Sequence, residues 1–150
     1  MAKQKTPIDV TQFPAGLTKK EFVMLPELKK YKSWFTWAGI VGIVSGILGF
    51  ASFGQVAELE AQGYQVNMGF YGLFAILSVA ELVFGILLLV KKDTKIAYVL
   101  GVLGLVTAVL ALASGGRIGA GVIATVLAIF GAHNIDNLWK EYQSNQGNII

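Results

Sequence analysis

The fold is decided by residues 68–90, MGFYGLFAILSVAELVFGILLLV, an apolar run interrupted by one charged residue, Glu81. At about 1.5 Å of rise per helical residue, such a run can cross the roughly 30 Å hydrocarbon layer of a bilayer. Trp34–Phe53, Ile96–Ser114 and Ile118–Leu138 have the same character, with Asp, Glu, Lys and Arg absent through almost their whole length. A closed β-barrel would instead need many segments of about ten residues with alternating polarity, and the sequence has none. The expectation is an all-α integral membrane protein, a four-transmembrane-helix bundle. Composition agrees: 150 residues are 55% hydrophobic and only 14% charged, against about a quarter charged in soluble domains. With no cysteine, a disulfide framework, a zinc knuckle and a thiol nucleophile are excluded.

The charges orient the spans. Of twelve basic residues, eleven lie in three places: Lys3, Lys5, Lys19, Lys20, Lys29, Lys30 and Lys32 before the first span, Lys91, Lys92 and Lys95 in the central loop, and Lys140 in the tail. The two remaining connections hold only Arg117. Because basic residues near span ends stay cytoplasmic, both termini and the Lys91–Lys95 loop are expected inside. Trp34, Trp37 and Trp139, with Tyr31, Tyr98 and Tyr142, fall at the same boundary, where amphipathic rings sit among headgroups. No removable signal peptide is expected, and the first span serves as an uncleaved anchor. Lysine in preference to arginine and the minimal architecture point to a bacterial cytoplasmic (plasma) membrane.

Three parts follow: a cytoplasmic N-terminal segment over 1–32, a membrane domain over 33–139 and a cytoplasmic tail over 140–150. Residues 1–17 carry Pro7, Pro14 and Gly16 without helical period and read as a flexible tail. Thr18-Lys-Lys-Glu21 matches a capping box, so a short helix begins there. Leu17, Phe22, Val23, Met24, Leu25 and Leu28 give the segment to about residue 32 an apolar side flanked by lysines, as in an interfacial amphipathic helix on an anionic leaflet. Pro26 suits the first turn of a helix running into span one. The loop 54–67, with Glu58 and Glu60, reads as irregular apart from a turn or two of helix before Gly63. Arg117 is placed to pair with those glutamates, and Asn, Gln and Ser make the last eight residues a loose end.

Span three repeats span one at an offset of 62 residues: Gly39/Gly101, Gly42/Gly104, Ser45/Thr107, Gly46/Ala108, Gly49/Ala111, Ala51/Ala113 and Ser52/Ser114. Spans two and four share Gly72/Gly121 and Ala75/Ala124. The chain thus reads as two tandem parallel helical-hairpin repeats with a pseudo-axis along the membrane normal. At 100° per residue, Gly42, Ser45, Gly46 and Gly49 share one arc of span one, and Gly104, Thr107, Ala108 and Ala111 the matching arc of span three. Helices in lipid associate by close backbone approach, which these rows and Ala124/Ala128/Ala132 permit. They read as packing faces.

Glu81 lies about two residues from the centre of its span, where a charge costs about 2.5–3.5 kcal/mol on insertion scales and marks a functional candidate. Tyr71, Phe74, Ala75, Ser78, Glu81 and Gly85 share an arc, so the acid should face protein. It can exchange a proton with a passing cation, pair with a basic group of another subunit, or bond to Ser45, Thr107 or Thr125. His133 and Asp136, three residues apart at the end of span four, are adjacent on a helix surface and form a weaker candidate pair at the interface, too few for a metal site. No phosphate loop, nucleophile elbow or metalloprotease helix is present.

Two functions are therefore expected to compete, ahead of a weaker third, an interfacial lipid enzyme resting only on His133 and Asp136. One is a non-enzymatic accessory, regulatory or scaffold subunit acting through helix contacts. The other is a homodimeric proton-coupled carrier of small cations or amphiphiles using Glu81. The partners implied are the bilayer and either a second copy or another membrane protein; no cofactor and no nucleic acid is implied.

Overall fold

A computed structural model describes residues 8–113 and 121–147. Five α-helices follow in order: α1 (Lys19–Met24), α2 (Lys29–Ala61), α3 (Met68–Lys91), α4 (Thr94–Ala113) and α5 (Gly121–Gly147). Single turns of 3₁₀ helix at Val10–Gln12 and Pro26–Leu28 precede α1 and α2. The described residues contain no strand. The last four helices are each long and apolar enough to cross a membrane.

The four long helices form a closed ring of neighbours. α2 packs on α3 and α5, and α4 packs on the same two, leaving α2 and α4 nearly out of contact across the bundle. Only Lys92 and Asp93 separate α3 from α4, which forces these helices antiparallel. The distribution of side chains is inverted relative to a water-soluble bundle. Buried positions include Ser78, Glu81 and Thr125 and the alanines Ala124, Ala128 and Ala132, whereas Val44, Leu48, Ile76, Val109, Ile123 and Phe130 are exposed. Such a surface suits lipid tails rather than water.

Two helices run further than the apolar pattern indicates. α2 spans 33 residues, about 50 Å, and continues through the loop expected over 54–67 until Gly63. There the Gly63 N–H donates to the Glu60 carbonyl and the Tyr64 N–H to the Leu59 carbonyl, with Gly63 at φ +89°. These are the two bonds of a Schellman stop, and the left-handed residue they require is glycine. Gly54, at an ordinary helical angle, does not end the helix. Asn67 then opens α3, its side chain accepting from the Phe70 N–H. Arg117 and the first residues of the fourth expected span lie outside the described residues.

The other extension corrects the reading of both ends. α5 continues to Gly147, so residues 143–147 of the expected loose end are helical, and Tyr142 just before them is buried; residues 148–150 lie outside the described residues. Residues 8–17 are not a free tail either. Val10 is buried, and the Tyr142 hydroxyl accepts from the Leu17 N–H at 3.0 Å and donates to the Pro14 carbonyl at 2.7 Å. The capping box at the start of α1 is complete, with Thr18 and Glu21 bonding reciprocally. The apolar side of α1 covers the protein's own helix: Phe22 is fully buried, with ring centroids 5.2 Å from Trp139 and 5.4 Å from Tyr142. An aromatic cap therefore closes the end of the bundle where residues 8–28 meet the last turns of α5. Burying one such ring contributes about 1.5–3 kcal/mol.

Candidate functional site

Glu81 projects from the middle of α3 into the bundle and is only 4% exposed. Its neighbours on the buried face of α3 are Ala75, Ser78, Gly85 and Leu88, the heptad-like spacing that turns one stripe inward. Thr107 of α4 reaches across to it, and the hydroxyl donates to Glu81 Oε1 in a short hydrogen bond. The same hydroxyl lies 2.9 Å from the Leu103 carbonyl oxygen of its own helix. Thr107 thus stands between two acceptors with one proton to give.

Glycines let the helices approach closely around this site. A Cβ at Gly42 would lie 3.1 Å from Leu100 and 3.5 Å from the Glu81 carbonyl oxygen. At Gly46 it would lie 2.5 Å from the Ser78 carbonyl oxygen and 2.7 Å from the Leu82 Cβ. Cβ atoms at Gly49 and Gly104 would overlap the hydroxyls of Ser78 and Thr125, respectively. Ala124 and Ala128 are buried on α5, while Ala108 of α4 is half-buried. Beside the carboxyl, Ser45, Gly42, Gly104, Gly121 and Thr125 help to enclose a cavity of about 10 Å³, near the lower limit for one water molecule.

Ser45, Thr107 and Glu81 are therefore brought together, and two other candidates are not. Ser78 is buried, but its hydroxyl donates to the Phe74 carbonyl at 2.8 Å within α3. Tyr71 lies almost three turns away, packed edge-on against Phe70 at 5.6 Å. At the other end of α5, His133 and Asp136 do not bond to each other. His133 Nε2 is 3.0 Å from the Asn137 amide, and Asp136 pairs with Lys19 at 2.6 Å. Among the described residues no cluster of acids and histidines could hold a metal.

Sequence reasoning missed the role of Lys19 as the partner of Asp136, and that of Lys92. The Lys92 ammonium donates to the Thr36 hydroxyl at 2.6 Å, joining α2 to the α3–α4 turn, and burial pushes it below the usual lysine value. Both contacts join residues far apart in the chain and leave no local pattern. Comparison with protein-family models, curated proteins and solved structures finds no match to this chain.

Proposed function

We propose that this small polytopic membrane protein acts through its surface, as an accessory or regulatory subunit of a membrane complex. The observation that carries this reading is the filled bundle interior. Glu81 is bonded within the chain and borders a cavity of about 10 Å³, too small for any cation with its coordinating groups or for an amphiphile. In this reading Glu81 joins α3 to α4 and is a structural acid, which weighs against the carrier. The exposed end of α2 supplies a contact element: Glu58, Leu59 and Glu60 are exposed on a helix about 50 Å long. Beyond roughly 30 Å of hydrocarbon, that end projects from the membrane on the side away from the termini, where it suits a basic partner surface.

Both termini and the α3–α4 turn are placed on the cytoplasmic side of a bacterial plasma membrane, following the lysines. The two-hairpin repeat is supported by matching contacts. Gly39 faces Gly85 and Leu89 as Gly101 faces Thr125 and Ile129, and Gly42 approaches the Glu81 carbonyl as Gly104 approaches that of Gly121. These pairs keep the offset of 62 for the first helices and set one of 40 for the second, instead of the 49 that sequence matching of spans two and four suggests.

The test is affinity purification from native membranes in a mild detergent, with native mass spectrometry of the eluate. A stoichiometric foreign membrane subunit is expected, reduced in yield by Glu58→Lys with Glu60→Lys. A lone monomer, together with no change in any complex when the protein is deleted, would overturn the reading.

A further inference from the structure

Where the last turn of α3 meets the start of α4, a cavity of about 660 Å³ opens beside α1, within the range of about 300–1,000 Å³ common to ligand sites. Its lining has two characters. Lys19, Lys20, Lys91, Lys92 and Lys95 supply positive charge against a single lining acid, Asp93, while Val23, Met24 and Val90 supply apolar surface. Two of these cations are already engaged, Lys19 by Asp136 and Lys92 by Thr36. Lys20, Lys91 and Lys95 are exposed, and their ammonium groups have no hydrogen-bond or ion-pair partner among the described residues. Asp93 does not neutralise them by contact; its carboxylate accepts the Lys95 backbone N–H at 2.7 Å.

The location narrows the choice of ligand. The cavity lies where the apolar run of α3 ends and that of α4 begins, the level at which a spanning helix leaves the acyl chains for the headgroups. Val83, Ile86 and Val90 are exposed and, at intervals of three and four residues, form one strip along α3 leading to the mouth. The turn is also held in an unfavourable shape: Lys92 has φ +50°, where glycine is favoured. A cationic rim at the end of an apolar strip matches an amphiphile with a phosphate head.

We propose that this cavity binds the headgroup of an anionic phospholipid, with Lys20, Lys91 and Lys95 around the phosphate and an acyl chain along Val83, Ile86 and Val90. Soluble phosphate esters share the headgroup chemistry, and the apolar strip favours the lipid. Basic pockets at the ends of transmembrane helices are suited to such headgroups. The inference rests on the membrane placement of the four helices and is independent of the partner reading, so either can fail alone.

The experiment is native mass spectrometry of the full-length protein in mild detergent, titrated with phosphatidylglycerol or phosphatidylcholine of identical chains, with glycerol 3-phosphate as the soluble competitor. Phosphatidylglycerol is expected to bind in preference. Lys20→Gln/Lys91→Gln/Lys95→Gln should lower its affinity by at least about tenfold, given roughly fivefold per basic residue near a surface, and leave phosphatidylcholine unchanged. Two triple variants should keep the preference: Lys→Arg at the same three positions, and Lys29→Gln/Lys30→Gln/Lys140→Gln elsewhere. If the triple Gln variant does not fold, the single variants carry the test, with a loss of about fivefold expected for each. Absence of preference, an equal loss in the distant triple variant, single variants without effect, or displacement by equimolar glycerol 3-phosphate would each overturn the proposal.

Discussion

Between α2 and α3 the contacts are made by what is missing from the side chains: Gly46 presses on the Ser78 carbonyl and Gly39 on Gly85. At the aromatic cap the contacts are made by the largest side chains in the chain, with Phe22 set among Phe13, Trp139 and Tyr142. The difference follows from the solvent. Lipid tails are as apolar as leucine, so helices within them gain little from burying large residues and depend on close approach and on polar bonds such as Thr107 to Glu81. Where water reaches the chain, area removed from it is the main source of cohesion.

This contrast can be broken in order of expected effect. Phe22→Ala should cost about 3–5 kcal/mol, confined to the cap. Hydrogen exchange should accelerate over residues 8–28 and 135–147 and stay unchanged in α3 and α4. Equal acceleration in α3 would make the two regions one cooperative unit. Gly46→Leu should cost about 1–3 kcal/mol, read as a lower Tm and a loss of monodispersity in detergent. Gly54→Ala, where a Cβ meets nothing within 4 Å, should gain roughly 0.5–1 kcal/mol. If both glycine variants behave alike, close approach is not what holds α2 to α3.

Smaller effects sharpen the comparison. Thr107→Val should lower stability by about 0.6–1.7 kcal/mol in denaturant titration. Glu81→Gln should cost less, because its amide oxygen can still accept from the Thr107 hydroxyl. A larger cost for Glu81→Gln would show that the negative charge itself is needed. In the cap, bonds from the Thr18 hydroxyl and then the Thr18 backbone hold the Glu21 carboxyl below its ordinary value. Its stabilisation of α1 is therefore complete above the ordinary glutamate range and is lost as pH falls through the lowered folded value. Amide exchange over Lys19–Met24 should quicken in acid, and Glu21→Gln should flatten that dependence.

The membrane helices were legible in the sequence because each apolar run reports directly on its own environment. The capping box was legible for a similar reason, since Thr18 and Glu21 are three residues apart and satisfy each other. The cap itself was not. Tyr142 looks like any boundary tyrosine, and its partners Pro14 and Leu17 lie more than 120 residues away, in a stretch whose prolines and glycine suggest only a loop. The far end of α2 was legible only as a turn or two of helix before Gly63, not as a continuation of the span, because Glu58 and Glu60 lack apolar period although they are good helix formers. At the candidate site, depth and helical phase pointed Glu81 inward. They could not distinguish Ser78, turned back to its own helix, from Thr107, turned across to the acid.

The clasp of Tyr142 on Pro14 and Leu17 also orders events during synthesis. Leu17 precedes its partner by 125 residues, an interval of roughly 6–25 s at ordinary elongation rates. Through that time Phe22 and Leu28 lack Tyr142, with which they share a buried cluster. The clasp can close only once synthesis has passed residue 142, so a shielded N-terminal segment marks a chain that has reached that point.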